Sequence, residues 1–411
     1  MKAVVFTLGC KVNSCESSSI MKGLKDLGYD VCEELVPADI YVINTCAVTK
    51  EAEKKSRQAI ARVKKQNPNA KIIVTGCASE RAPESFIGKD GVSVVTGTAC
   101  KERILELIDK SGTFISPEEE CYHELPLAET QKSRAFIKIQ DGCDNFCSYC
   151  IIPYLRGRSR SRNPESIKEE ILALKPLEAV LTAINLTAYD FEGRNLTCLI
   201  KSLSDVKTRI RLGSLEENVI TEEFLLALKG LYDFAPHFHL SLQSGSDKVL
   251  KEMNRKYTTL EFRRGVELIR KHFPSSAITT DVIVGYPTET DKDFNDSYDF
   301  IKSIGFSDIH AFTFSMREGT VAYELKDLDG NVKKERLNKI LELKEMLKSR
   351  FISENLNTFQ DVIVEEYIDG YSIGYTANYI KTYIDKKLEE GKYRVYLKEE
   401  FNGDVLAEIK E

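Results

Sequence analysis

The chain has 411 residues, 42% of them apolar and 30% charged, with a net charge of −6 and eleven cysteines. That length predicts about two or three domains with ample chain for a core, and the composition is that of a soluble globular protein. No apolar run approaches the ~20 residues of a membrane helix, no signal peptide opens the chain, and the acidic balance confines any nucleic-acid contact to local basic patches.

A cytoplasmic setting is therefore expected, where thiols are metal ligands or buried side chains sooner than disulfides. Short β-branched runs at about 3–8, 39–44, 71–75 and 92–96 predict strands. Helical stretches at about 16–28, 50–66 and 101–109 separate or follow them, which predicts an open, mostly parallel α/β sheet. Each of the first three strands is followed directly by a cysteine: Cys10, Cys46 and Cys77. In a parallel sheet those loops leave at the carboxyl edge, where ligands bind, so the three thiols should converge on a metal site. Gly9 and Gly76 let the backbone come close to it. Cys15, Cys32, Cys100, Cys121 and Cys198 share no such position and read as buried structural thiols.

Residues 113–133, with Pro117 and Pro126, read as a surface linker. The strand–helix pattern then restarts, with strands at about 135–140, 178–184, 208–214, 237–243, 278–284 and 307–313. Six units are too few for a closed eight-stranded barrel, so an open partial barrel is expected, with its site at the carboxyl ends of the strands. The loop after the first strand holds Cys143, Cys147 and Cys150, a tight spacing that points three soft thiolates at one centre. No histidine lies nearby to complete a closed four-ligand zinc site, which leaves one metal position open. An iron–sulfur cluster with one unligated iron and a partial zinc site both fit that count. Arg156, Arg158, Arg160 and Arg162 follow on alternate residues, a pattern suited either to a solvated surface or to bidentate phosphate contact. In the strand from His237 to Gln243 polar and apolar residues alternate, so its polar face lines a wet cavity if it points inward. A long helix from about 332 to 356 leads into short strands that predict a small β-barrel over 358–411.

Taken together, Leu8-Gly-Cys-Lys-Val-Asn13, Asn44-Thr-Cys46, Thr75-Gly-Cys77, the loop Cys143 to Cys150, Pro153-Tyr-Leu-Arg-Gly-Arg158, Leu242-Gln-Ser-Gly-Ser-Asp247, Met253-Asn-Arg-Lys-Tyr257 and Val284-Gly-Tyr-Pro287 resemble the motifs of the radical S-adenosylmethionine methylthiotransferases. The resemblance implies three domains: 1–112 with an auxiliary cluster, 134–357 as a (βα)6 radical barrel with its trailing helix, and 358–411 as a TRAM domain. It implies two 4Fe–4S clusters, one on Cys143, Cys147 and Cys150 that cleaves S-adenosylmethionine, the other on Cys10, Cys46 and Cys77. It places Tyr149, Ser214, Glu216 and Gln243 against S-adenosylmethionine, and Asn13, Arg156, Arg158 and Arg160 against the substrate. The run Gly9-Cys-Lys-Val-Asn13 looks like the branch that inserts a methylthio group at C2 of threonylcarbamoyladenosine beside the tRNA anticodon. The implied partners are the tRNA anticodon stem-loop and a reductant protein such as a flavodoxin or ferredoxin, with no membrane. The alternatives are isopentenyladenosine or a ribosomal protein as substrate, or a non-catalytic RNA-binding protein stabilised by zinc at both trios.

Overall fold

In a computed structural model, which describes residues 1–48, 50–89, 91–99, 101–116, 122–125 and 133–409, strands alternate with helices twice before the chain ends in antiparallel β structure. Ile40–Thr45 is buried throughout and Lys71–Gly76 almost so, the burial expected of inner strands in a parallel sheet. They lie at the centre of six parallel strands in the order Asp30–Cys32, Lys2–Thr7, Ile40–Thr45, Lys71–Gly76, Val92–Thr96, Gly112–Phe114. The register sets Thr7 opposite Asn44 and Thr45 opposite Gly76. Three successive strands therefore end at one edge, immediately before Cys10, Cys46 and Cys77. One face of the sheet packs Ile60 and Val63 of helix Lys50–Gln66, and the other packs Ile20 and Leu24 of helix Lys11–Asp26.

The sheet is wider than the apolar runs predict. Asp30–Cys32 is too short to show a period, and Gly112–Phe114 begins at what reads as a Ser-Gly turn, so the expected linker starts inside an edge strand. Pro117, Pro126, Cys100 and Cys121 lie outside the described residues. The first helix starts at Lys11 rather than near 16, and Lys101–Leu107 is a 3-10 helix. Among the thiols read as buried, Cys15 is buried and Cys32 half-buried, but Cys198 is exposed on helix Leu196–Ser202; its neighbours Leu199 and Ile200 supply the buried face.

The second unit is six parallel strands: Arg134–Asp141, Glu178–Ala183, Arg209–Leu212, His237–Leu240, Ala277–Val284 and Asp308–Thr313. Between the third and fourth the join is slight, through Ile210 N to Asp233 O (2.8 Å) and Ala235 N to Ile210 O (2.9 Å). The first and last strands do not pair, so the barrel stays open. Its outer helices start cleanly: Thr258 with Glu261 and Thr290 with Asp293 form reciprocal capping boxes.

Helix Gly330–Asn355 joins this unit to the last one. Ile340, Leu343 and Leu347 enter the core of the partial barrel, and Ile352 enters the core of a closed five-stranded barrel formed by residues 359–408. That small barrel sits against the amino-terminal ends of the larger one. Arg134 and Glu178, each the first residue of its strand, are ion-paired at 2.7 Å, and Arg134 also reaches Glu365 at 2.8 Å. Fully buried Arg211 donates to the carbonyls of Thr376 (3.2 Å) and Ala377 (3.1 Å) while paired with Glu178. Among the described residues no helix is long and apolar enough to cross a membrane.

Candidate metal centres and a central cavity

Cys10 precedes the first turn of helix Lys11–Asp26, and Cys77 opens helix Cys77–Arg81. The turns that bring them together need glycine. Gly9 has φ +108°, and a Cβ there would lie 2.8 Å from Cys46 Cβ and 3.0 Å from its Sγ; Gly76 has φ +102°, and a Cβ there would lie 2.5 Å from Thr45 O. Asn13 ties the loops to each other, donating to Leu8 O at 2.7 Å and Thr45 O at 3.1 Å. Thr45 Oγ1 donates to Thr75 O at 2.7 Å, linking the second and third strand ends. Cys46 and Cys77 are buried and Cys10 is exposed. Burial pushes the Cys46 thiol up to about 11, and the thiols of Cys77 and Cys10 push it further, so the three share one electrostatic pocket. Burial also raises Cys77, against the pull of Arg156 and Lys101.

The second trio lies in a loop clamped from three sides. Asn254 Nδ2 donates to the carbonyls of Asn145 (3.2 Å) and Phe146 (3.0 Å), Ser148 N donates to Met253 O (3.1 Å), and Ser148 Oγ meets Tyr286 OH at 2.9 Å. The motifs around Met253 and Tyr286 thus hold the cysteine loop in shape. Arg255 Nη1 donates to Cys147 Sγ at 3.4 Å and Nη2 pairs with Glu216 at 2.8 Å; Glu216 also accepts from Asn145 at 2.8 Å. Burial pushes Cys150 up to about 12 and raises Cys143. Tyr149 leans on the apolar patch of Val249, Met253 and Tyr286. Each trio offers three thiols that need a nearby positive centre to ionise, with a guanidinium at the edge, and this donor set fits an iron–sulfur cluster with one iron left for an outside ligand.

Between the trios is a buried ion network that the sequence reading does not anticipate. Arg156, at the end of helix Ile152–Arg156 after the cysteine loop, has a fully buried side chain paired with Glu16 and Asp141 at 3.0 Å each, and it donates to Asn13 Oδ1 at 2.8 Å. Lys138 pairs with Glu16 at 2.9 Å and Asp141 at 2.6 Å, and Lys101 pairs with Glu16. Three cations face two carboxylates, and the surplus charge lies beside the thiols of Cys10 and Cys77, which in turn stabilise charged Arg156. Burial alone would raise Glu16 and Asp141, but the cations outweigh it and hold both well below the carboxylate range. The network joins the units, because Glu16 and Lys101 come from the first and Lys138, Asp141 and Arg156 from the second. Ile151 and Leu155 extend that joint, packing in the same apolar cluster as Cys77 and Ala78.

Two of the expected substrate contacts are corrected by this burial. Arg156 and Asn13 are 2% and 1% exposed and bonded to each other within the protein, so neither is presented to an RNA. Arg160 folds back onto the carbonyls of Arg156 (2.9 Å) and Arg158 (3.0 Å), and Arg162 is buried against Glu170 and Glu124. Only Arg158 of the four faces solvent, over the Phe146 ring and 3.1 Å from Asp144. A signal for the network did exist: Asn13, Glu16 and Ser17 continue the buried stripe of Ile20 and Leu24 at helical spacing, which puts charge where core belongs.

A cavity of about 750 Å³ opens where all three units meet. Its lining includes Gly9, Cys10 and Lys11, then Ser214, His237, His239, Thr279, Asp281 and His310 of the partial barrel, and Tyr375, Asn378 and Tyr379 of the small one. The polar face of the His237 strand thus points inward, while Phe238 and Leu240 are fully buried beneath the helices. Thr279 Oγ1 meets His237 Nε2 and His239 Nδ1 at 2.9 Å each, and Asp281 bridges His239 (3.2 Å) and His310 (3.3 Å). Burial would raise Asp281, but those two imidazoles hold it far below the carboxylate range, and the Asp281 hydrogen bond raises His310. Gln243 is not among the lining residues; it marks the strand's exit, with φ +67° and N donating to Asp281 O at 2.9 Å.

A family model described as Uncharacterized protein family UPF0004 matches residues 2–97, and the Radical SAM superfamily model matches 137–301. The threonylcarbamoyladenosine tRNA methylthiotransferase MtaB of Bacillus subtilis (strain 168) is 40% identical over 385 residues, covering 89% of this chain and 85% of the relative. The protein of that name from Thermotoga maritima is 37% identical over 423 residues, covering 100% and 93%. A tRNA-2-methylthio-N(6)-dimethylallyladenosine synthase of Clostridium tetani is 33% identical over 386 residues, covering 89% and 84%. The radical S-adenosylmethionine methyltransferase TsrM of Kitasatospora setae, solved with cobalamin and a 4Fe–4S cluster, has the same fold at TM-score 0.59, with 14% identity over 79% of this chain and 77% of that one. By sequence, fold and paired cysteine edges, the chain belongs to the radical S-adenosylmethionine methylthiotransferase family, in its threonylcarbamoyladenosine tRNA branch.

Proposed function

We propose that the protein transfers a methylthio group to C2 of N6-threonylcarbamoyladenosine beside the anticodon of tRNA. The observation that carries this reading is the pair of thiol trios on facing units, with Arg156 following one in sequence and placing its guanidinium at the other. Cys143, Cys147 and Cys150 would hold one 4Fe–4S cluster, and Cys10, Cys46 and Cys77 the second. When bound, the clusters and S-adenosylmethionine supply the radical chemistry that an unactivated C2–H bond demands and that side chains cannot perform.

The chain's own residues bind and orient. Arg255 and Asn185 direct donors at the thiols of Cys147 (3.4 Å) and Cys143 (4.0 Å). Glu216, which accepts from Asn145 of that loop, and Ser214 on the cavity wall would bind S-adenosylmethionine, together with Tyr149 and Gln243. The cavity takes the base, which must leave its stack at a cost of a few kcal/mol. In this assignment residues 1–112 hold the sulfur-transfer centre, 134–357 the radical centre, and 358–411 the barrel that closes the cavity. A flavodoxin or ferredoxin would supply electrons.

The test is a pair of variants. Cys147→Ala should abolish reductive cleavage of S-adenosylmethionine, while Cys46→Ala should keep cleavage and stop thiomethylation, read by nucleoside analysis of the tRNA. A Cys46→Ala protein that still makes methylthio-adenosine rejects the role given to the first edge.

A further inference from the structure

Every carboxylate lining the cavity has a basic side chain of its own. Asp404 is held by Lys348 at 2.6 Å, Asp308 by Lys344 at 3.5 Å, and Asp281 by His239 and His310. Of the remaining cations on the wall, Lys381 lies 4.9 Å above the Tyr383 ring. Lys11, exposed to solvent on the cavity wall, is left with no hydrogen bond, ion pair or ring contact among the described residues. The charges that bear on it are Arg211, Arg134, Glu178 and Asp281, and Glu178 is already taken by Arg211 at 2.7 and 2.8 Å and by Arg134 at 2.7 Å. The first strand's loop thus brings a solvent-facing ammonium to the cavity wall, one residue from Cys10, with no carboxylate of the protein bonded to it.

The substrate reading above supplies such an anion, and this inference rests on that reading. A base drawn into the cavity leaves its phosphates on the RNA backbone outside and brings in its N6 substituent. The threonylcarbamoyl group ends in a carboxylate, whereas an isopentenyl group is apolar and would leave the lysine unpaired. We propose that Lys11 binds the carboxylate of the threonylcarbamoyl substituent and sets which modified adenosine the cavity accepts. Discrimination of this kind comes from a contact that only the acidic substituent can make and that the apolar one forgoes.

The experiment compares binding of three synthetic anticodon stem-loops to cluster-loaded wild type, Lys11→Gln and Lys11→Arg. The first RNA carries threonylcarbamoyladenosine, the second its methyl ester, and the third unmodified adenosine. Wild type should bind the free acid about tenfold or more tighter than the ester, as expected for a charge-assisted hydrogen bond. Lys11→Gln should bind both alike at the affinity of the ester, and Lys11→Arg should keep part of the preference. A Lys11→Gln protein that retains the preference overturns the proposal. So does one that weakens all three RNAs equally, which would make Lys11 a phosphate contact. If wild type prefers modified to unmodified RNA but not acid to ester, Lys11 loses its role and the substrate reading stands. If wild type does not distinguish modified from unmodified RNA, the substrate reading falls as well.

Discussion

Cys143, Cys147 and Cys150 lie within eight residues of one loop, whereas Cys10, Cys46 and Cys77 are delivered by three separate strands. The loop is held within its own unit, by Asn254 and Tyr286 of the partial barrel and by the left-handed turn at Gly142, where a Cβ would lie 1.9 Å from Arg158 O. The strand trio is not held by one unit alone. Its geometry comes from sheet register, from Asn13 and Thr45 bonded across loops, and from an ion network that spans two units. A ligand set that depends on a joint between two units should fail before one held inside a single unit, and perturbations of graded size test that difference.

The largest effect is expected at Glu16, which is 1% exposed and pairs with Lys101, Lys138 and Arg156. Glu16→Ala leaves three buried cations facing Asp141 alone, a change that costs about 3–5 kcal/mol. Iron analysis after reconstitution should fall from about eight to about four per chain as the strand trio empties first. A variant that keeps both clusters at full stability would show that the network does not support the first edge.

Acid tests the same network. Glu16 and Asp141 are held well below their unfolded value of about 4, so their contribution is complete above that pH and is lost as pH falls through the folded values. Urea midpoints of wild type should therefore drop below about pH 4. The drop should be shallower in Glu16→Ala, since that variant has already lost one of the two groups.

The contrast between the trios also explains what was legible in the sequence. The loop is visible as spacing, and the strand trio as a position repeated after three β-branched runs. The first survives because its spacing is contiguous in the chain, the second because the loops after parallel strands all leave at the carboxyl edge. What stays hidden is the side chain whose environment another unit supplies. Arg156 and Arg158 are indistinguishable in a charge run, yet one is sealed under Glu16 and the other faces water. Glu16 itself hides because a carboxylate on an apolar helix face reads as the place where the helix ends. The inward face of His237 and His239 is written in the alternation, but the cavity in front of it takes its remaining walls from the first unit and the small barrel.

A smaller, more local effect is expected at Gly9. An alanine there must hold φ +108° with its Cβ 2.8 Å from Cys46 Cβ, a strain of about 1–3 kcal/mol. Because the strain falls on one loop of the strand trio, Gly9→Ala should lower thiomethylation while reductive cleavage of S-adenosylmethionine continues at the wild-type rate. Equal loss of both activities would mean that the two centres are not separable.

The smallest effect on stability is expected at Arg158, whose side chain is 69% exposed and whose partner Asp144 is 49% exposed. Arg158→Ala should change stability by less than about 1 kcal/mol, as for other exposed pairs. Its consequence lies in binding, because this is the one arginine of the run that remains available beside the cysteine loop. A guanidinium that contacts a phosphate acts on any RNA, so the variant should weaken modified and unmodified stem-loops by the same factor. The dependence of log affinity on log salt should fall by about one charge. An unchanged salt slope would remove the last member of the arginine run from RNA contact, and the electrostatic path to the cavity would then have to run over the other units.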